Sequence, residues 1–561
     1  MVACGLQLDL LMSTWSTRFG AVSYLGRKPI LEWVAITAAI AITRVIFRSR
    51  YLYDIDSVNY ALAVARFDPS VHQPHPPGYF LYVWFARIAN LWMQNPNDTL
   101  VAISVTTSCL AVVAILLLAE NWFGATAARF AGLAFLFSPL GWFHGTVALS
   151  YIVEACFSAW IGYFCWRAYR GSDNLICVAA LLLGLATGVR QSSILFLGPL
   201  FLICLMKCRR KMQIAGAAVL LLTLAGWLVP MTLAAGGISA YLSALWALWK
   251  IAPAQATLFN SSPLMSFARL LTVLFIGVLS LGALLIPAGI GLRNPRGSRD
   301  VQLARLQARF TWLWALPAFL FFTLIFLRFV NSGYMLILLP VACIWLGDAL
   351  ARCYQAQSTN KASLLLGLCA AANVLVFLAA PVYSSYRSVR AFENDLEEVR
   401  ATLPQIASSQ DTLIVGFDSH FLGYRHAGYY LPEYQTLQYP EVQLGDGKRV
   451  FAMHDKDTWL ASVVPGTKVP SQNYTQFVLF PLPLDEKSYA EYAAKVMSRF
   501  PSSHLRVIAK GRHQYVVGPI SDLALLFPAT FRPSTSGAED PVTVSQRSIA
   551  GFNSTSAVNG R

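Results

Sequence analysis

Charge is scarce in this chain. Asp, Glu, Lys and Arg supply 13% of its 561 residues, against roughly 25% in ordinary soluble domains, and the mean hydropathy is +0.52. That excludes a simple soluble enzyme. Zinc-ribbon spacing is also missing: there are ten cysteines and no CxxC pair. No cysteine follows Cys369, so the C-terminal part can hold no disulfide. No repeat relates the two halves of the chain, although such repeats are common in carriers.

What is present is long apolar runs, recurring from residue 30 to residue 381. The first, Ile30–Phe47, lies between Arg27-Lys28 and Arg48/Arg50, with Arg44 close enough to its end to snorkel. It starts too late to read as a cleaved signal peptide. A span needs about 20 apolar residues, and on that basis eleven are predicted, near 30–47, 98–119, 125–143, 150–168, 175–189, 192–207, 213–235, 266–292, 310–328, 333–351 and 362–381. With residues 1–29 inside, the basic loops 166–170, 207–211 and 293–309 also fall inside, as the positive-inside rule requires. The net charge of +15 is read as those loops, not as a nucleic-acid surface. A twelfth span at 78–94 would turn all three loops outward, so that segment is predicted to lie along the outer membrane surface.

The fold class that follows is a polytopic α-helical membrane protein with a small C-terminal α/β domain. The membrane domain covers 30–384, with juxtamembrane helices at 56–94. Residues 385–520 mix a charged helix near 385–402, short β-rich runs and a helix at 486–500, and belong outside the cytoplasm. Residues 521–561 read as largely disordered.

The ionisable groups gather on the outer face. The first outer loop packs Asp54, Asp56, Arg66, Asp68, His72 and His75 into little more than twenty residues and ends in Pro76-Pro77-Gly78. Charge held against hydrocarbon is costly and usually functional. Asp56 is also a good N-cap for a helix at 57–66. His144, Tyr151 and Glu154 fall at one outer turn, Arg190 to Ser193 at another, Arg328 to Tyr334 at a third, and Lys250 in an outer loop over 236–265. The Leu175–Val189 span has fifteen residues, roughly 22 Å of helix, which sets Arg190 below the surface and suits it to a phosphate. The His72/His75 pair leaves a divalent metal open without indicating one; no cofactor is indicated.

At these residues the chain resembles the GT-C superfamily of membrane glycosyltransferases. Asp56-Ser57 resembles the acidic motif of their first outer loop. His75-Pro76-Pro77-Gly78-Tyr79 is similar to the His-Pro-Pro motif of protein O-mannosyltransferases and aminoarabinose transferases, most of all a bacterial HPPGY branch. The strings at 137–157 and 184–200 resemble that branch too. Ser57 stands where many relatives have a second acid, and Arg190 where others have lysine.

The resemblance implies an inverting transfer of sugar from a polyprenyl-phosphate carrier to an acceptor hydroxyl on a protein, lipid or glycan, in the bacterial inner membrane. It makes Asp56 the base, with Asp54 beside it as a second catalytic candidate. Arg190 and Arg328 would hold the phosphate. His75, Tyr79, His144, Glu154 and Tyr334 would line the substrate cavity. No metal ligand and no nucleic-acid partner are expected. The alternative is a carrier or flippase for a lipid-linked or anionic solute.

Overall fold

A computed structural model describes residues 27–69, 72–251, 262–294, 300–327, 331–417, 421–439, 442–443, 449–454, 461–463, 474–483, 498 and 504–526. Arg328, the Lys250 side chain, the helix expected at 486–500 (save Ser498) and the tail from 527 lie outside these, as do residues 1–26.

Every predicted apolar segment is helical. In order the helices are α1 (Arg27–Ile46), α2 (Ile55–Ala65), α3 (Phe80–Met93), α4 (Pro96–Phe123), α5 (Ala125–Leu136), α6 (Pro139–Thr146), α7 (Tyr151–Tyr169), α8 (Leu175–Val189), α9 (Ser193–Lys207), α10 (Arg210–Ala234), α11 (Ile238–Ile251), α12 (Pro263–Leu281), α13 (Leu285–Arg293), α14 (Val301–Leu320), α15 (Leu339–Ala356) and α16 (Thr359–Ala379). Among the described residues, six stretches are long and apolar enough to cross a membrane, or seven if the bent pair α6–α7 is one span. Among the predicted spans outside that number, α5, α8 and α9 are short, and α6 and α7 meet at 118°.

The breaks are held by polar side chains, as they must be where no water can satisfy freed carbonyls. Between α5 and α6, Ser138 caps the new helix by accepting the Gly141 N–H at 3.1 Å, and donates to Ser280 O at 2.7 Å. Asn373 donates to Phe137 O at 3.0 Å and to Leu281 O at 3.0 Å, and accepts the Ala283 N–H at 2.7 Å. One amide thus joins two breaks. Gly282 turns the second at φ 59°, where a Cβ would meet Asn373 Oδ1 at 2.0 Å. Arg44 does not snorkel. It is fully buried, donates to Leu136 O at 3.0 Å and lies 4.8 Å from the Trp142 ring centroid. The unpaired carbonyl at the end of α5 draws it inward.

Two further differences concern the loops expected outside. The helix after the first span begins at Ile55, and its cap is Asp54, not Asp56. Asp54 is extended (φ −107°, ψ 154°) and accepts the Asp56 N–H, which leaves the Asp56 carboxylate in the first turn. Part of the expected loop 236–265 is the helix α11, which buries Tyr241 while exposing Ile238, Leu242 and Trp246. Helix α3, over the segment expected to lie on the surface, buries Phe80, Tyr82, Val83 and Ala86 and exposes Trp84, Ile88, Leu91 and Trp92.

The C-terminal part opens with α17 (Tyr386–Ile406), whose apolar positions Val389, Phe392, Leu396, Val399 and Leu403 recur at helical spacing. The first three pack into the membrane-domain core, the last two under the sheet. There follow β1 (Thr412–Phe417), α18 (Tyr424–Tyr430), β2 (Gln435–Tyr439), β3 (Val442–Gln443), β4 (Arg449–His454), β5 (Ala461–Val463), β6 (Gln476–Pro483), β7 (Arg506–Lys510) and β8 (His513–Pro519). The sheet order is β3-β4-β2-β1-β6-β8-β7, with β5 on β4. The fully buried β1 lies parallel to both β2 and β6 (Leu413 beside Gln435 and Phe477). Residues 521–526, part of the expected disordered tail, form a short helical turn.

Candidate active site

The acidic loop and the proline corner, nineteen residues apart from Asp56 to His75, meet in space. Asp56 Oδ1 lies 3.3 Å from His75 Nδ1, and His75 Nε2 lies 3.1 Å from the Tyr79 hydroxyl. A carboxylate beside Nδ1 favours the Nδ1–H tautomer, which leaves Nε2 to accept from Tyr79. Gly78 (φ 107°) and Tyr79 (φ 44°) both turn left-handed before α3 starts. Gly78 is suited to that geometry by lacking Cβ. Gln191 and Tyr241 hold the corner by donating to Pro77 O at 3.0 and 3.1 Å.

Behind Tyr79 sits Arg190, the residue that ends α8. Its guanidinium carbon is 5.6, 4.4 and 5.4 Å from the ring centroids of Tyr79, Tyr151 and Tyr334. It is 6% exposed and pairs with Glu154 at 2.9 Å, itself 2% exposed. Ser193 donates to the other Glu154 oxygen at 2.9 Å, and Arg190 donates to Ser150 Oγ at 3.3 Å. Glu154 therefore neutralises the cation. His144 is a layer further back, edge-on to Tyr151 and 3.4 Å from Ser332 Oγ. Asn331 donates to the Tyr151 hydroxyl at 2.6 Å.

Asp56, His75, Tyr79, Arg190, Glu154 and Tyr334 thus form one connected cluster, with His144 beside it through Tyr151. Asp54 is 1% exposed: one oxygen takes the Asp56 N–H and the other the Tyr383 hydroxyl. His72 is exposed, and among the described residues no three His, Cys, Asp or Glu gather as a metal site would require.

Several members were not singled out from sequence. Tyr60 lies 3.4 Å from Ser150 Oγ and packs edge-on against Tyr79 and Tyr82. Its position four residues after Asp56 puts both on one helix face, a signal that could have found it. Burial pushes the Tyr60 and Tyr79 phenols above the ordinary tyrosine range, so both stay protonated. Arg269 on α12, which none of these hydrogen bonds ties to the cluster, is 1% exposed and donates to Ile325 O at 3.2 Å beside the π-helical turn Phe321–Ile325. Tyr383 comes from beyond the last span, more than three hundred residues from its partner.

The arrangement brings a carboxylate backed by an imidazole into one cluster with a tyrosine-caged, ion-paired arginine. Residues 69–214 match the family described as the protein O-mannosyl-transferase TMEM260 N-terminal domain. Among solved structures, ArnT from Cupriavidus metallidurans bound to undecaprenyl phosphate is similar at TM-score 0.51 and 14% identity, over 87% of this chain and 97% of that one. Its apo form is similar at TM-score 0.52 and 15% identity, over 86% and 97%. No curated protein matches the chain in sequence. The resemblance read from Asp56-Ser57 and the HPPGY string agrees with both findings: residues 69–214 match that family model, and the chain shares the fold of these solved structures.

Proposed function

We propose that the chain moves a sugar from a polyprenyl-phosphate carrier to an acceptor hydroxyl on the extracytoplasmic side of a bacterial inner membrane, with eleven spans and the C-terminal domain outside. The observation that carries this reading is the meeting of Asp56, His75 and Tyr79 with the caged Arg190. A hydroxyl is a weak nucleophile at neutral pH, so its proton must go to a base as it attacks. Asp56 takes that proton. The acceptor oxygen bonds to the anomeric carbon, the bond from that carbon to the phosphate oxygen breaks, and its electron pair leaves on the phosphate. Attack opposite the leaving group inverts the anomeric centre. Arg190 faces the charge that gathers on the departing phosphate, which lowers the barrier where the contact strengthens in the transition state. His75 keeps Asp56 oriented, and Arg269 and Arg328 are further cations for the lipid phosphate. The family match over 69–214 makes mannose the first donor and a protein hydroxyl the first acceptor to try.

The test uses protein purified in detergent, with polyprenyl-phosphate sugars and a panel of hydroxyl acceptors. Free polyprenyl phosphate should appear in equal amount with the glycosylated acceptor. Asp56→Asn should still bind donor but lose transfer by roughly 10²–10⁴-fold. Movement of a solute across proteoliposomes, with no transfer product from any donor, would refute the transferase and favour a carrier.

A further inference from the structure

The short stretch from Arg48 to Asp54 leads from the first span to the helix that carries Asp56, and it is bound along its length by residues 383–430. Arg390 donates to Arg48 O at 3.2 Å. The Arg50 backbone N–H and Nε donate to the two oxygens of the fully buried Glu393 at 2.7 and 2.8 Å. Arg50 also lies 3.3 Å from Glu397, to which Tyr51 donates at 3.1 Å. Leu52 donates its N–H to the Tyr430 hydroxyl at 2.7 Å, and His426 Nε2 donates to Leu52 O at 3.1 Å. Tyr53 donates to Tyr383 O at 2.9 Å and stacks on the Tyr383 ring at 5.2 Å. The Tyr383 hydroxyl then reaches Asp54 Oδ2, and Asp54 Oδ1 holds the Asp56 N–H at 2.8 Å.

We infer that residues 383–430, the junction after the last span together with the start of the C-terminal domain, form a positioning clamp for the base, acting through Tyr383 and Asp54 on the first turn of the helix that carries Asp56. The inference rests on the reading of Asp56 as the base. Asp54 is then an orienting carboxylate and not a proton acceptor, since both its oxygens are already engaged and water does not reach it. Burial, together with the neighbouring Asp54 carboxylate, raises the Tyr383 phenol well above its ordinary value, so it remains a donor across the working pH range. The clamp has a geometric consequence. A helix cap fixes where the first turn begins, and Asp56 is in that first turn. A displacement of about 1 Å in a reacting group can cost on the order of 10²-fold in rate. The membrane domain holds the other side of the same stretch: Ser49 donates its N–H to Thr146 O at 2.8 Å, and Asn97 donates to Ser49 O at 3.0 Å. The acidic loop is thereby fixed between two bodies, and residues 383–430 supply most of the contacts.

Tyr383→Phe tests this because it deletes one hydroxyl and keeps the ring stack. The expected result in the full-length detergent-purified protein is a fall in kcat on the order of 10- to 100-fold, with donor KM and melting midpoint close to wild type. Glu393→Gln, which weakens the clamp one step further away, should lower kcat less. On an Asp54→Ala background, Tyr383→Phe should cost nothing more, because the partner it acts through is gone. Unchanged kcat in Tyr383→Phe while Asp56→Asn is inactive would overturn the clamp and leave the base in place. An equal further loss on the Asp54→Ala background would also overturn it. Normal transfer by Asp56→Asn would instead remove the underlying reading.

Discussion

Replacing Glu154 with Gln should weaken the protein and tighten its grip on lipid phosphate at the same time. Glu154 and Arg190 are 2% and 6% exposed and 2.9 Å apart, so the pair is effectively out of water. Taking the charge from one partner of such a pair leaves the other uncompensated and costs roughly 3–5 kcal/mol. For a chain of this length that is a fall in melting midpoint on the order of 3–4 °C. Gln keeps the shape and can still accept from Ser193, so the loss is the charge and not the packing. A phosphate arriving beside the tyrosine cage would supply the missing anion. If it restores only about 2 kcal/mol of the lost pairing, its affinity rises roughly 30-fold. The assay is thermal unfolding in detergent with and without polyprenyl phosphate. Wild type at 100-fold over Kd should gain about 2.7 kcal/mol, and Glu154→Gln should gain more. Turnover should slow, because the product lipid phosphate now leaves reluctantly. Adding Arg190→Gln should raise the melting midpoint again while abolishing the response to lipid. Equal or smaller stabilisation of Glu154→Gln by the lipid would show that the caged cation does not face the phosphate.

Gly333→Ala should disturb the same cage from the other side: a Cβ there would lie 2.3 Å from Tyr151 Cδ2 and 2.8 Å from His144 Cε1, so Tyr151 must leave its place over Arg190. Overpacking of this kind costs about 1–3 kcal/mol, and a donor titration should show KM rising several-fold; an unchanged KM would place Tyr151 outside the donor site. In the C-terminal domain, burial raises Glu398, but hydrogen bonds from the Arg512 N–H and from His513, with a contact to the Arg512 guanidinium, outweigh it and leave the carboxyl below its ordinary value. The charged form is therefore favoured by folding, so its contribution is present above the ordinary carboxylate pKa of about 4.3 and is lost as pH falls through the lower folded value. Hydrogen exchange of the β7–β8 hairpin between pH 3 and 6 should lose protection on acidification in wild type. In Glu398→Gln, protection should be weaker at pH 6 and nearly flat below it.

What could be read from sequence was local. Asp56, His75 and Tyr79 lie within one segment between two apolar runs, so their meeting was legible without tertiary information. That Arg190 ends a short apolar helix followed from counting fifteen residues. The helix at Leu175–Val189 does stop there. Residues whose role depends on packing were not legible. Nothing near Arg44 signals that its partner would be the carbonyl of Leu136, ninety-two residues away, since the need for a donor arises only once α5 breaks. The break itself was hidden because Phe137 and Leu140 keep the run apolar on both sides of Ser138-Pro139.

The choice between two neighbouring aspartates is the sharpest case. By propensity either can cap a helix, and alternation alone does not choose between them. The decision is made by Tyr383, whose hydroxyl meets Asp54 and not Asp56, and by His75, which stands beside Asp56 and not Asp54. One partner comes from nineteen residues downstream and the other from beyond the last span. A carboxylate whose two oxygens are both taken up in a buried cap has little capacity left to accept a proton from substrate. One that is partly exposed and backed by an imidazole retains it. The proposed assignment of the base therefore depends on a contact between Tyr383, beyond the last span, and the loop that follows the first span, which is why the two segments have to be understood together.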